Sequence, residues 1–193
     1  MLNEVKKRAL SEAMLEEIKQ EIITDLSAVQ REGIDQLITH LEGSGFFTSP
    51  ASTKFHGNYA GGLAAHSLMV YKEFDFLLKR YSGTLEPDSR RIAGICHDVC
   101  KIGVYQKNES KSGRTPAKPY LFDDPFPIGH GEKSLYIVSQ YLELTTKEAL
   151  LIRWHMGGYD HNYEINEDKI KELCPELVLL HCADQLVSGG LNL

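Results

Sequence analysis

No run of apolar residues in this chain approaches the roughly 18 that a membrane-spanning helix requires, so no membrane partner is expected. Cysteine is scarce: four in 193 residues, Cys96, Cys100, Cys174 and Cys182, with no Cys-x-x-Cys pair among them. That spacing argues against a thiolate zinc site and for reduced thiols in the core. Positive charge is in deficit, with 21 Lys and Arg against 27 Asp and Glu, a net charge of −6. An extended nucleic-acid surface needs a basic face, so none is expected. A small nucleotide or short oligonucleotide remains compatible, because a bound metal supplies positive charge locally. The N-terminal stretch MLNEVKKRALSEAMLEEIKQE is charged throughout and has no signal-peptide core, which sets a cytoplasmic location as the expectation. Internal repeats and low-complexity tracts are absent as well.

What is present is an ordinary globular composition, 42% hydrophobic and 25% charged, in a chain long enough for one substantial core. Apolar residues recur at helical spacing through most of it. Residues 3–25 and 31–43 read as helices, the second stopped by Gly43-Ser44-Gly45. A small-residue loop at 46–61 precedes a long helix over 62–81, with Leu63, Val70, Phe74, Leu77 and Tyr81 on its apolar stripe and His66 beside it. Another helix is predicted over 88–100, with Pro87 just before its start and Asp88 or Ser89 as cap candidates, burying Ile92, Cys96 and Val99, which puts His97 and Asp98 near its C-terminal end. Residues 103–129 hold Pro116, Pro119, Pro125 and Pro127 with Lys107, Lys111, Arg114 and Lys118. They read as a hairpin or ordered loop with strands near 103–106 and 119–122. Helices over 131–143, 145–156 and 167–188 follow, with Pro175 placed to split the last. The fold class is all-α, a helical bundle with one small β or loop insertion near 103–129.

Six residues stand out on this scaffold: His66, His97, Asp98, His130, His155 and Asp184. Four imidazoles and two carboxylates suit Mn, Fe, Co, Ni or Zn better than magnesium, which favours oxygen ligands and retained water. The set is large enough for two divalent transition-metal ions, and the carboxylate of Asp98 could bridge them. Such a pair generates a hydroxide near neutral pH and clamps the oxygens of a phosphoryl transfer. Local contexts agree: His130 lies between Gly129 and Gly131, His155 precedes Gly157-Gly158, and Asp184 interrupts an apolar stretch where a carboxylate needs a partner.

The segments GGLAAHSLMV, IAGICHDVCKIG, PIGHGEKS, LIRWHMGG and LLHCADQLVS carry these residues in order. The series resembles the HD-domain superfamily of metal-dependent phosphohydrolases over about residues 55–190. FHGNYAGGLAAHS and the later GH and WHMGG segments look most like the HD domain of bacterial 3′–5′ exoribonucleases, without the OB domain those enzymes carry. The resemblance implies an N-terminal helical extension, 1–45, packed on an HD domain at 46–193. It implies one metal on His66, His97, Asp98 and Asp184 and a second on Asp98, His130 and His155. His130 and His155 imply two ions, since simpler members lack them and hold one. Gly158-Tyr159-Asp160 stands where the cyclic-di-GMP branch has Gly-Tyr-Pro, so that substrate is not assigned.

For substrate, Lys101 lies three residues after Asp98, on neighbouring helical ground, and the resemblance supports it as a phosphate contact. His56 falls near the substrate by the same comparison and could donate a proton to a leaving oxygen. Arg114 and Lys118 are further phosphate candidates, weighed against a solvated loop. Trp154 and Tyr159 flank His155, with core packing the main role expected of Trp154. The expected function is hydrolysis of a phosphomonoester or phosphodiester of a nucleotide-like substrate, with Asp98 bridging, a metal-bridging hydroxide attacking phosphorus and Lys101 steadying the charge. The rival readings are a mixed-valent di-iron oxygenase on the same six ligands and a non-catalytic nucleotide-binding module.

Overall fold

In the computed structural model the described residues are 10–81, 83–109 and 116–189. The first seven residues of the helix expected at 3–25, together with Lys111 and Arg114, lie outside them. Among the described residues there are eight α-helices and one two-stranded sheet. They are α1 (Glu12–Ser27), α2 (Ile34–Gly43), α3 (Gly62–Arg80), α4 (Pro87–Cys96), β1 (Tyr105–Lys107), β2 (Tyr120–Phe122), α5 (His130–Ser139), α6 (Thr146–Trp154), α7 (Tyr163–Leu173) and α8 (Leu177–Ser188). Single 3-10 turns follow α4, at Val99–Lys101, and α6, at Gly157–Tyr159. The architecture is an all-α bundle with a small hairpin. No helix among the described residues is long and apolar enough to cross a membrane.

Helix α3 is the axis of the bundle and packs against α1, α4 and α8. Its first seven residues, Gly62–Leu68, are all buried, so protein surrounds this half on every side. Beyond it burial narrows to Val70, Phe74 and Leu78, the i, i+4 stripe of a helix leaving the core. Tyr81, expected on that stripe, is exposed instead, lying just past the helix, which ends at Arg80. His66 sits in the fully enclosed half.

Several boundaries differ from the sequence reading. The helix expected over 88–100 ends at Cys96. His97 still has helical angles, but Asp98 turns out of the helix (φ −111°, ψ 15°), and the next turn is held by Lys101 N donating to Asp98 O at 3.0 Å. The expected strands become Tyr105–Lys107 and Tyr120–Phe122, paired antiparallel with Tyr105 opposite Phe122. Pro175 does divide the last helical region, into α7 and α8, and α7 begins at Tyr163 rather than near 167 because Asp160 caps the preceding turn, its Oδ1 accepting from Asn162 N at 2.9 Å. Cys96, Cys100 and Cys174 are buried as expected of core thiols, whereas Cys182 is exposed on the outer face of α8.

Helix α6 is tied to the N-terminal helices by a polar clamp. Thr145 caps it, its Oγ accepting from Glu148 N, and the Glu148 carboxylate accepts from Thr145 N at 2.8 Å, a reciprocal capping box. The same carboxylate accepts from both terminal nitrogens of Arg31, at 3.0 and 3.1 Å, and from Ser89 Oγ at 2.7 Å.

Candidate metal centre

Six side chains from five places in the chain meet between α3, α4, α5, α6 and α8. His66 comes from the enclosed half of α3, His97 and Asp98 from the end of α4, His130 from the first residue of α5, His155 from the residue after α6, and Asp184 from α8. Asp98 is the hub. Its Oδ2 lies 3.3 Å from His66 Nε2 and 3.5 Å from His97 Nε2. Its Oδ1 lies 2.8 Å from His130 Nε2 and 3.5 Å from His155 Nε2. His66 Nε2 also approaches Asp184 Oδ1, at 3.2 Å. The donor atoms therefore fall into two groups that could each hold an ion and that share Asp98: His66, His97 and Asp98, and Asp98, His130 and His155.

The hydrogen bonds behind the ring nitrogens decide what those nitrogens can do. His97 Nδ1 meets Gly94 O at 2.9 Å, and His155 Nδ1 meets Ile152 O at 2.8 Å. A carbonyl only accepts, so each Nδ1 carries a proton, and it is the neutral form of each ring that presents an Nε2 lone pair to a ligand. Those lone pairs face the buried Asp98 carboxylate, acceptor against acceptor, and His97 Nε2 also lies 3.3 Å from His66 Nε2. His155 Nε2 is buried with no hydrogen-bond partner among the described residues. A cation between these atoms would satisfy all of them, and a carbonyl behind a ligating imidazole is the usual outer support of a metal site. The donor set fits the groups of ions expected of it.

Electrostatics keep the carboxylates of the cluster charged. Burial alone would push the Asp98 carboxyl up, but Lys101, His97 and the hydrogen bond from His130 outweigh it and hold it well below the usual carboxylate range. Asp184 is likewise held low by His66 against the effect of burial. Burial opposes charge on His130, yet the bonds to Asp98 and Cys100 push it up to about 9.

The local backbone explains the convergence. A Cβ on Gly131 would stand 2.0 Å from Arg153 O, so only glycine lets the start of α5 lie against the end of α6, which brings the His130 and His155 rings to 5.1 Å. Gly129, with φ +104°, turns the chain into that helix.

A model of the HD domain matches residues 63–188, a span that contains all six. The chain belongs to the HD-domain family. That family is the metal-dependent phosphohydrolase superfamily, and the buried His and Asp cluster of this HD domain is a place where metal could bind. No curated protein and no solved structure matches the chain.

The substrate candidates divide. Lys101 Nζ is 2.5 Å from Asp98 Oδ2, the oxygen that faces His66 and His97. His56 lies beside the centre, its ring 4.8 Å from that of His66, although its segment precedes the matched span. Burial, with help from His66 and Lys101, lowers the His56 pKa to about 3, so the ring is neutral at ordinary pH. Arg114 lies outside the described residues. Lys118 is exposed on the hairpin side, where its carbonyl accepts from Asn108 Nδ2. Trp154 is half-buried with the Arg153 guanidinium stacked 3.8 Å over its ring, and Tyr159 is exposed.

A cleft of about 230 Å³ opens onto the centre, with Lys101 and His130 on its inner wall and Tyr105, Phe122, Asp124 and Lys133 around it. Sequence reasoning overlooked Lys133 and Asp124. Lys133 had a visible signal, being three residues after His130 on the same helix face; Asp124 had none. A larger cavity, about 810 Å³ beside Arg31, Gln140 and Thr145, is lined by none of the six.

Proposed function

We propose that this HD domain is a phosphohydrolase that uses two divalent transition-metal ions (Mn, Fe, Co, Ni or Zn) to cleave a phosphomonoester or phosphodiester of a nucleotide-like substrate. One observation carries the proposal: the two oxygens of a single buried carboxylate, Asp98, each face their own histidines. His66, His97, Asp98 and Asp184 would hold one ion, and Asp98, His130 and His155 the other. When bound, such a pair acidifies a water and draws charge from a phosphoryl group.

The chain's own residues supply the rest. The carbonyls of Gly94 and Ile152 fix the rings of His97 and His155, so that no reorganisation is needed when ligand arrives. Lys101 stays protonated, its pKa raised by Asp98 and Asp184 against burial, and it lines the cleft. From there its ammonium binds a non-bridging phosphate oxygen and offsets charge that builds up in the transition state. His56, neutral, offers a hydrogen bond rather than a full positive charge. His130 is the most open of the six, with about a third of its side chain exposed (35%) on the cleft side, and substrate enters past it.

The test is a hydrolysis screen over nucleoside monophosphates, cyclic nucleotides, dinucleotides and short RNA, with Mn, Fe, Co, Ni and Zn, run beside metal analysis. Phosphate release that depends on metal and disappears in Asp98→Ala is the expected result. Undiminished turnover in Asp98→Ala would overturn the assignment.

A further inference from the structure

The cleft beside the metal centre contains an ion pair that the hydrolytic reading leaves without a task. Lys133 Nζ lies 2.5 Å from Asp124 Oδ1, and its side chain is almost wholly buried. Asp124 Oδ1 also accepts from Phe126 N at 2.9 Å, and Oδ2 accepts from no group among the described residues. Both residues line the cleft together with Lys101 and His130. A lysine ammonium has three donors, and Asp124 is the one side chain it pairs with among the described residues. Spare N–H donors and a spare carboxylate acceptor therefore stand side by side at the cleft wall.

Burying such a pair is costly, and a stability role alone is a weak reason for it. What it suits follows from its charge. The pair is neutral overall, and a second phosphate placed there would meet the Asp124 carboxylate as a like charge. A sugar hydroxyl suffers no such repulsion: it donates to the carboxylate and accepts from the ammonium at once, and two adjacent hydroxyls use both partners. The volume agrees, since about 230 Å³ accommodates a sugar and its phosphate but leaves a base to lie outside. At the mouth, Phe122 is 64% exposed and packs edge-on against Tyr105, an open ring face where a base can stack.

We infer that Lys133 and Asp124 recognise the hydroxyls of the sugar that carries the scissile phosphate, and that the cleft selects ribonucleotides over deoxyribonucleotides. The inference rests on the phosphohydrolase reading of the adjoining centre. A site built to bond a hydroxyl penalises the analogue that lacks it, because its own polar groups are left unpaired.

The experiment compares adenosine monophosphate, deoxyadenosine monophosphate and ribose phosphate on the full chain loaded with manganese, by kcat/KM, and on the metal-free chain, by titration calorimetry. The ribonucleotide is expected to be favoured over its deoxy counterpart by about 10- to 100-fold, the worth of a hydrogen bond to a charged group, with the same order in binding. In Asp124→Asn, which keeps the shape of the side chain, and in Lys133→Met, that ratio collapses towards unity. Two variants guard against a folding failure in one, and circular dichroism verifies each. Ribose phosphate handled as well as the nucleotide would keep the hydroxyl contact and remove the stacking role of Phe122. Equal treatment of ribo- and deoxyribonucleotide with hydrolysis intact would overturn the inference alone. Failure to hydrolyse any phosphoester would overturn the reading beneath it.

Discussion

His155 Nε2 and Asp98 Oδ1, both on buried side chains, face each other at 3.5 Å, with His155 Nδ1 donating to the carbonyl of Ile152. Two acceptors held in this way repel unless a cation lies between them. Metal should therefore stabilise the fold directly. Manganese or zinc at a hundredfold excess over its dissociation constant should add about 2.7 kcal/mol. That corresponds to a rise in melting temperature of roughly 5–10 °C for a chain of this size, and a chelator should reverse it. Calorimetric melts with and without metal check this, and identical melts would count against a metal in this space.

The unequal enclosure of the histidines gives a second expectation. His66 is 2% exposed at its side chain and His130 35%. His130→Ala should lower bound metal from about two ions per chain to about one, whereas Asp98→Ala, which removes the shared carboxylate, should lower it to near none. Plasma emission analysis of dialysed protein separates these outcomes.

Lys101→Met keeps the stem and removes the charge that reaches Asp98 and the cleft. The turnover number should fall by about 100-fold, the usual loss when one donor to developing charge is removed. The effect should fall on kcat more than on KM. A change confined to KM would reassign Lys101 to ground-state binding.

At Gly131 an alanine Cβ would enter the van der Waals shell of Arg153 O. Gly131→Ala should cost about 1–3 kcal/mol as overpacking and move His130 away from His155. Weaker retention of the second ion, read by chelator competition, is expected alongside the lower denaturation midpoint.

Glu148 couples stability to pH. Burial alone would raise its pKa, but Arg31, Ser89 Oγ and Thr145 N–H together bring it below its ordinary 4.5. A depressed folded-state pKa stabilises fully above the unfolded value and is lost as pH falls through the folded one. Glu148→Ala should therefore cost about 3 kcal/mol at neutral pH, since it leaves Arg31 without its buried partner. The gap to the wild type should narrow below about pH 4.5. Urea midpoints on either side of that pH measure both.

The sequence showed much of the fold because its signals are local. Pro175, Gly43-Ser44-Gly45 and the proline cluster before His130 mark boundaries through backbone sterics alone, and each falls at or beside one in the structure. The six candidate ligands were legible as an ordered series, and the structure brings all six to one place. What stayed hidden depends on distance along the chain. Arg31 meets Glu148 from 117 residues away, and no periodicity announces that pairing. Asp124 lies in a loop where an acidic residue is unremarkable until Lys133 is seen behind it. The end of α4 at Cys96 was missed because Asp98 leaves the helix for a tighter turn that its flanking residues would equally have tolerated as α-helix.

The Arg31 clamp has a consequence for where this molecule can be cut. It holds one end of α6, and His155 follows the other end, about 13 Å away at the rise of an α-helix. A fragment trimmed to residues 63–188 would keep every one of the six candidate ligands. It would also strand a carboxylate in the interior and loosen the rod that aims His155. The stretch that defines kinship is thus shorter than the stretch that keeps the rod taut.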